Sequence, residues 1–269
     1  DRWILSKLNN LITAVREAMD SYDLTRAVRA IQEFVVEDLS NWYIRRARRR
    51  FWASELDDDK RAVYNTTYEV LLTVTKLIAP FAPFTAEELY QNLVAGQESV
   101  HLTEFPGVNT ALIDSQVEKR MDLARSLVGL GRAAREQVKI KVRQPLHKIL
   151  VDGKFQQLLT GLVPLMEEEL NVKAVEFVAD LTQYMEYQLR PNFPVAGPAL
   201  GTKIKEFGGV LARLNATEVA PKLEAGEEIA VTLGGEETMV SKNLVNITIT
   251  AREGFTVEME NNLFVILDT

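Results

Sequence analysis

The sequence predicts a multidomain chain: an α-helical bundle over residues 1–141, followed by a smaller α+β domain over 142–269. Three observations carry this. Apolar residues recur at three- and four-residue steps through the first half, the spacing of helices with one buried face. After about residue 145, β-branched residues gather instead in short runs. Gly and Asn pairs separate some of those runs, as hairpin turns require.

Ile4, Leu8, Leu11, Ile12, Val15 and Met19 form the stripe of a first helix over Arg2 to Met19. Asp23 suits the N-cap of a second, long helix that runs through Ile31, Phe34 and Leu39 to Trp52 and ends basic. Asp57-Asp58-Asp59 favours a helix N-terminus, and Val63, Val70, Val74 and Leu77 carry a third helix to Ala79, where Pro80 and Pro83 stop it. Thr85-Ala86-Glu87-Glu88 reads as a capping box opening a fourth helix to Leu93. Short connections between such helices are those of a bundle. Ser99 to Pro106 reads as extended, and Asp114 or Ser115 starts a fifth helix to Gln137.

Strands are expected at Ile149–Val151, Val172–Val178, Ile229–Leu233, Leu244–Thr250, Phe255–Met259 and Phe264–Leu267. Gly234-Gly235 and Asn261-Asn262 mark hairpins, and the proline-rich stretch from Pro191 to Gly201 reads as an irregular connector.

Composition limits the chemistry. Cysteine is absent, which removes disulfides, thiol nucleophiles and thiolate metal sites. The two histidines, His101 and His147, are far apart and lack metal-ligand spacing. No apolar run approaches the roughly 20 residues of a membrane span. No phosphate-binding glycine loop occurs, and Glu87-Glu88, Glu167-Glu168-Glu169, Glu227-Glu228 and Glu236-Glu237 read as solvated or helix-start charge. The start at Asp1-Arg2-Trp3-Ile4, without Met, is expected to lie inside a longer protein.

A net charge of −7 argues against a uniformly basic surface, so local patches decide what the chain binds. Residues 41–52 hold five arginines, four aromatics and no acid. Guanidinium groups pair with phosphates and stack on bases, and exposed indoles stack on unpaired bases, so Trp42, Arg45, Arg46, Arg49, Arg50 and Trp52 are candidates for RNA contact. The same residues also fit a bundle core ringed by ion pairs to Glu37, Asp38 or Asp57–Asp59. A second basic stretch, Arg125 to Lys148, opposes seven positive charges with Glu136 alone. There Arg132, Arg135, Lys139, Lys141 and Arg143 are candidates, the last three alternating along an extended segment and so able to meet successive phosphates. A solvated helix face followed by a lysine-guarded edge strand explains them equally well. By contrast, Arg213 to Thr269 holds ten acids and four basic residues and is not expected to touch RNA broadly.

Asp1-Arg2-Trp3-Ile4-Leu5-Ser6-Lys7-Leu8-Asn9, Asn41-Trp42-Tyr43-Ile44-Arg45-Arg46 with Arg49-Arg50-Phe51-Trp52, and Ala79-Pro80-Phe81-Ala82-Pro83-Phe84 resemble, in that order, the helical anticodon-binding domain of class I synthetases for Ile, Val, Leu and Met. Ser99-Val100-His101-Leu102 and Lys141-Val142-Arg143-Gln144-Pro145-Leu146 narrow the resemblance to isoleucyl-tRNA synthetase. Asn171-Val172-Lys173, Arg190-Pro191-Asn192-Phe193 and Leu267-Asp268-Thr269 resemble that family's C-terminal appendage. The resemblance implies a bundle that receives the anticodon loop of isoleucine tRNA and a mixed domain, truncated at its end, that buttresses it. It implies a cytoplasmic monomer that works with the catalytic domain of the same polypeptide. Activation of isoleucine with ATP and Mg, and editing of valine, would reside there: the His-Ile-Gly-His and Lys-Met-Ser-Lys-Ser type motifs are missing from this sequence. The chain itself is expected to be catalytically inert and cofactor-free. The rival readings are a structural or protein-interaction domain, or the equivalent part of a valyl-type synthetase.

Overall fold

The computed structural model describes every residue except Ala95, Gln97 and Asn262. Packing separates two compact units, Asp1–Met121 and Asp122–Thr269, which part within a single helix.

The first unit is helical. Helix α1 (Arg2–Asp20) buries Ile4, Leu8, Leu11, Ile12 and Val15 of the stripe legible in the sequence, together with Trp3, and leaves Met19 half-buried. Each such side chain contributes roughly 1.5–3 kcal/mol on leaving water. The carboxylate of Asp23 caps α2 (Leu24–Glu33) by accepting the Arg26 amide at 3.0 Å, which satisfies one of the free N–H groups of the first turn. The chain stays helical to Trp52, but not uniformly. Residues Phe34–Ile44 widen into π-helical turns before α3 (Arg45–Trp52), so the Arg45 amide bonds the Ser40 carbonyl five residues back. Among the residues buried in this segment, Phe34, Leu39 and Tyr43 stand five and four apart, with Asp38 and Trp42 beside them. A wider turn is what keeps them on one side.

Helix α4 (Asp58–Ile78) is capped by Asp57, which accepts the Lys60 amide at 2.7 Å, and its Val63, Val70, Val74 and Leu77 are buried. It packs on α1, α2 and α3. Helix α5 (Pro83–Leu93) has its N-cap at Ala82, three residues earlier than the capping-box reading placed it. Pro83 supplies the fixed φ of a first helical position, which leaves Thr85 inside the first turn. The Glu88 carboxylate of that reading accepts the Asn92 side-chain amide at 3.1 Å rather than a cap amide, and the Glu87 carboxylate turns elsewhere. It accepts the Ser99 hydroxyl at 2.8 Å and the Val100 amide at 2.9 Å. Nor is Ser99 to Pro106 extended throughout, because Val100–Leu102 forms a 3-10 turn whose Val100 packs with Ala79, Ala86 and Tyr90. Helix α6 (Ser115–Gln137) follows, with the Asp114 carboxylate accepting the Gln116 and Val117 amides.

The second unit is α+β. Strand β1 (Leu146–Asp152) is followed by α7 (Gln156–Leu159), α8 (Val163–Leu170) and β2 (Val172–Val178), which runs parallel to β1 with Leu146 opposite Val172. Strand β3 (Met185–Pro191) comes next. It alternates buried Met185, Leu189 and Pro191 with exposed Glu186, Gln188 and Arg190, and sequence reading passed it over. The Pro191–Gly201 stretch is not irregular: it contains α9 (Phe193–Leu200), in whose first turn Pro194 needs no N–H partner. Helices α10 (Ile204–Leu211) and α11 (Ala216–Glu224) lead to β4 (Ile229–Leu233) and β5 (Glu236–Val240), an unforeseen strand. The turn between them has Gly234 at φ 62° and Gly235 at φ 81°, angles that exclude most side chains.

Strands β6 (Val245–Ala251), β7 (Phe255–Glu260) and β8 (Leu263–Asp268) complete the chain. The main sheet has the order β2-β1-β8-β7, while β6 pairs with β3. Central position explains the unbroken apolar runs Ile149–Val151 and Val265–Leu267, which have no exposed surface. The expected Asn261-Asn262 turn falls partly on Asn262, outside the described residues; Asn261 has φ 48°, and β7 and β8 pair antiparallel. A separate core beside β3 and β6 gathers Leu189, Phe207, Leu211, Leu223, Leu233 and Val245.

Candidate nucleic-acid interface

The arginine-rich stretch is α3, and its side chains divide by direction. Trp42 is 7% exposed and belongs to the core, with the guanidinium carbons of Arg45 and Arg46 each 5.9 Å from its ring centre. Those distances suit cation–π attraction. Arg45 also donates to its own Asn41 carbonyl at 2.8 Å. Arg50 is engaged inward. It donates to both Asp1 carboxylate oxygens, at 2.7 and 2.8 Å, and to Asp59 at 2.9 Å, which ties the end of α3 to the starts of α1 and α4. Tyr43 joins this group by donating to Asp1 at 2.6 Å, and burial raises its phenol pKa.

Outward lie Arg48, Arg49 and Trp52. Trp52 is 78% exposed, and Arg48, one turn earlier, shares its side of the helix. A flat apolar ring beside a guanidinium is what an unpaired base stacks on. Arg48 was part of the basic stretch but not among the nominated residues, although its i, i+4 spacing to Trp52 was the available signal.

The second basic stretch also divides. Arg132 pairs with the buried carboxylate of Glu169. Arg135 is 1% exposed, so its guanidinium cannot reach a ligand in this conformation, and desolvation lowers its pKa. Lys139, Lys141 and Arg143 are exposed, and among the described residues no carboxylate pairs with them. They do not lie on an extended strand. Helix α6 closes with Lys139 at φ 57°, the Lys139 amide bonding the Glu136 carbonyl at 2.9 Å and the Ile140 amide the Arg135 carbonyl at 2.8 Å. This is a Schellman closure with Lys139 at its left-handed position, and Lys141 and Arg143 sit on the turn that follows it.

Two aromatics outside the nominated set are equally open: Tyr22 is 90% exposed and Phe84 91%. Tyr22 is separated from Trp52 by roughly 40 Å of helix along α2 through α3. Val28, Leu39 and Phe81 line one groove. That groove, about 520 Å³, is bounded by Ile31, Leu71, Val74 and Leu89 and has no charged lining, so it offers a phosphate nothing. Another depression, about 640 Å³ in the second unit, includes Arg190 and Arg252, but Arg252 lies 3.7 Å from Glu186 and Arg190 donates to Gln188. Among the described residues no group of three or more His, Asp or Glu could hold a metal, and no helix is long and apolar enough to cross a membrane.

Arginine and tryptophan thus stand exposed at the end of α3, and a basic turn follows farther along the chain. Residues 1–150 match the family model described as the anticodon-binding domain of tRNA ligase, and the chain belongs to that family. The more particular likeness is to isoleucine–tRNA ligases. The chain is 42% identical to that of Clostridium tetani, 41% to that of Clostridium novyi and 39% to that of Chlamydia trachomatis serovar A, each over its whole length. It spans about a quarter of those proteins, 26% in each case.

Proposed function

We propose that the chain grips the anticodon arm of isoleucine tRNA on behalf of a longer isoleucine–tRNA ligase. The observation that carries this reading is that the whole chain, both units included, is similar to one continuous stretch of isoleucine–tRNA ligases. The exposed groups fit it: Trp52 with Arg48 and Arg49 supplies stacking and charge, while Lys139, Lys141 and Arg143 supply phosphate contacts. Arg50, Arg132, Arg135 and Trp42 serve the scaffold that presents them. The helices of residues 1–141 act as the receiving bundle, and residues 142–269 as its buttress. Aminoacylation, with its ATP and Mg, belongs to a catalytic domain of the same polypeptide. In the cell the protein works as a cytoplasmic monomer.

The test is binding of isoleucine and valine tRNA transcripts to the 269-residue chain. Preference for isoleucine tRNA, weakening with salt, is expected. Equal or absent binding of both would overturn the assignment.

A further inference from the structure

The turn after α6 is held from within in a way that its exposed charges do not require. Arg135 Nη1 donates to the carbonyls of Gln144 at 2.9 Å and Lys141 at 3.2 Å, and its Nη2 to the carbonyl of Asn171 at 3.0 Å. Asn171 sits at the end of α8 with φ 49°, and its amide donates to the Val142 carbonyl at 2.9 Å. The Gln144 amide in turn bonds the Lys141 carbonyl at 2.9 Å, and the Leu146 amide the Asn171 carbonyl at 3.1 Å. Three of the four carbonyls from Lys141 to Gln144 are therefore engaged by two side chains from outside the turn, Arg135 on the helix before it and Asn171 at the end of α8. The long cationic side chains project from a backbone that is already fixed.

We infer that Arg135 and Asn171 are positioning residues that hold the turn Val138–Pro145 in shape to receive the phosphodiester backbone of the bound RNA through Lys139, Lys141 and Arg143. The inference rests on the tRNA reading above. Its physical basis is ordering. A loose basic loop must be immobilised when it binds, and that cost is subtracted from each contact; a loop fixed in advance avoids it. Arg135 is suited to the inner role because its planar fork reaches several carbonyls at once, whereas an ammonium could not hold the same geometry. Asn is suited to position 171 because its short side chain tolerates a left-handed backbone and still donates.

The discriminating variant is Asn171→Gly. Glycine keeps the left-handed backbone and both main-chain bonds while removing the strut to Val142. Asn171→Ser, neutral and too short to reach the Val142 carbonyl, is the second variant should glycine unsettle the fold. Each is compared with wild type and with Lys141→Ala/Arg143→Ala for affinity to an isoleucine tRNA transcript across salt concentrations, alongside the melting temperature.

Both Asn171 variants are expected to melt like wild type yet bind roughly threefold to tenfold more weakly, with a shallower salt dependence. A merely structural bond would not alter the salt dependence. Wild-type affinity and slope in the Asn171 variants, with the double variant weakened, would overturn the positioning role. An unaffected double variant would overturn the turn as a contact. If wild type shows no salt-dependent binding, the tRNA reading itself fails, a result distinct from the other two.

Discussion

Trp42 and Trp52 lie ten residues apart on one helical stretch, and replacing each with alanine should produce opposite outcomes. Trp42 is 7% exposed, packed beneath two guanidinium groups. Truncating a buried tryptophan leaves a cavity and costs about 3–5 kcal/mol, much of the stability of an ordinary domain. Trp52 is 78% exposed, so its removal should shift stability by no more than ~0.5 kcal/mol. If a base stacks on it, the loss appears in binding instead. At about 1–3 kcal/mol per stacked base, affinity should fall roughly 5- to 150-fold. Urea denaturation of both variants, paired with filter binding of isoleucine tRNA, reads the two effects separately. A Trp52→Ala protein that binds like wild type, or one that unfolds as easily as Trp42→Ala, would refute the assignment of Trp52 to the interface.

Lys139 occupies a left-handed backbone position that glycine adopts without strain, so Lys139→Gly should raise stability by about 1 kcal/mol while flattening the salt dependence of tRNA binding by about one contact; a destabilised variant would contradict this. At Gly131 an added Cβ would stand 2.6 Å from Leu170 Cδ1, and Leu170 is fully buried, so Gly131→Ala should cost about 1–3 kcal/mol in denaturation; no measurable loss would mean that α6 and α8 separate easily. The Ser99 hydroxyl, with help from Gln91 and the Val100 amide, holds the Glu87 carboxyl below its ordinary 4.5. A depressed folded pKa means that this contribution is present above about pH 4.5 and is lost as pH falls through the folded value. Melting temperature followed from pH 6 to 3 should therefore drop more steeply in wild type than in Glu87→Gln, and parallel curves would exclude the linkage.

What the sequence disclosed depended on whether a signal was local. Periodicity located α1, α4 and α6, and the Asp23 and Asp57 caps were readable because a cap acts within three residues. The π-helical turns of Phe34–Ile44 escaped a search at a period of 3.6, although the steps of four and five among Phe34, Leu39 and Tyr43 carried the information. Strand β3 alternates correctly, but Met, Glu, Gln and Leu are weak strand formers and hid it. Pro194, in the first turn of α9, looked like a breaker where it is a helix opener.

For the interface, charge was visible and direction was not. Nothing near Arg50 announces Asp1, forty-nine residues away, and nothing beside Arg135 announces the Asn171 carbonyl. Arg135 and Lys139 looked equivalent as basic residues, yet one is sealed inside and the other stands in solvent. Long-range partners mark Arg50 and Arg135 as scaffold, and only the folded chain reveals them.

The most direct test of the account is a footprint of isoleucine tRNA on the chain, combined with affinity measured across salt. With Arg48, Arg49, Lys139, Lys141 and Arg143 meeting phosphates, log affinity should fall against log salt with a slope of about 3–5, and protection should centre on the anticodon arm. Binding indifferent to salt, or protection confined to the acceptor end, would contradict it.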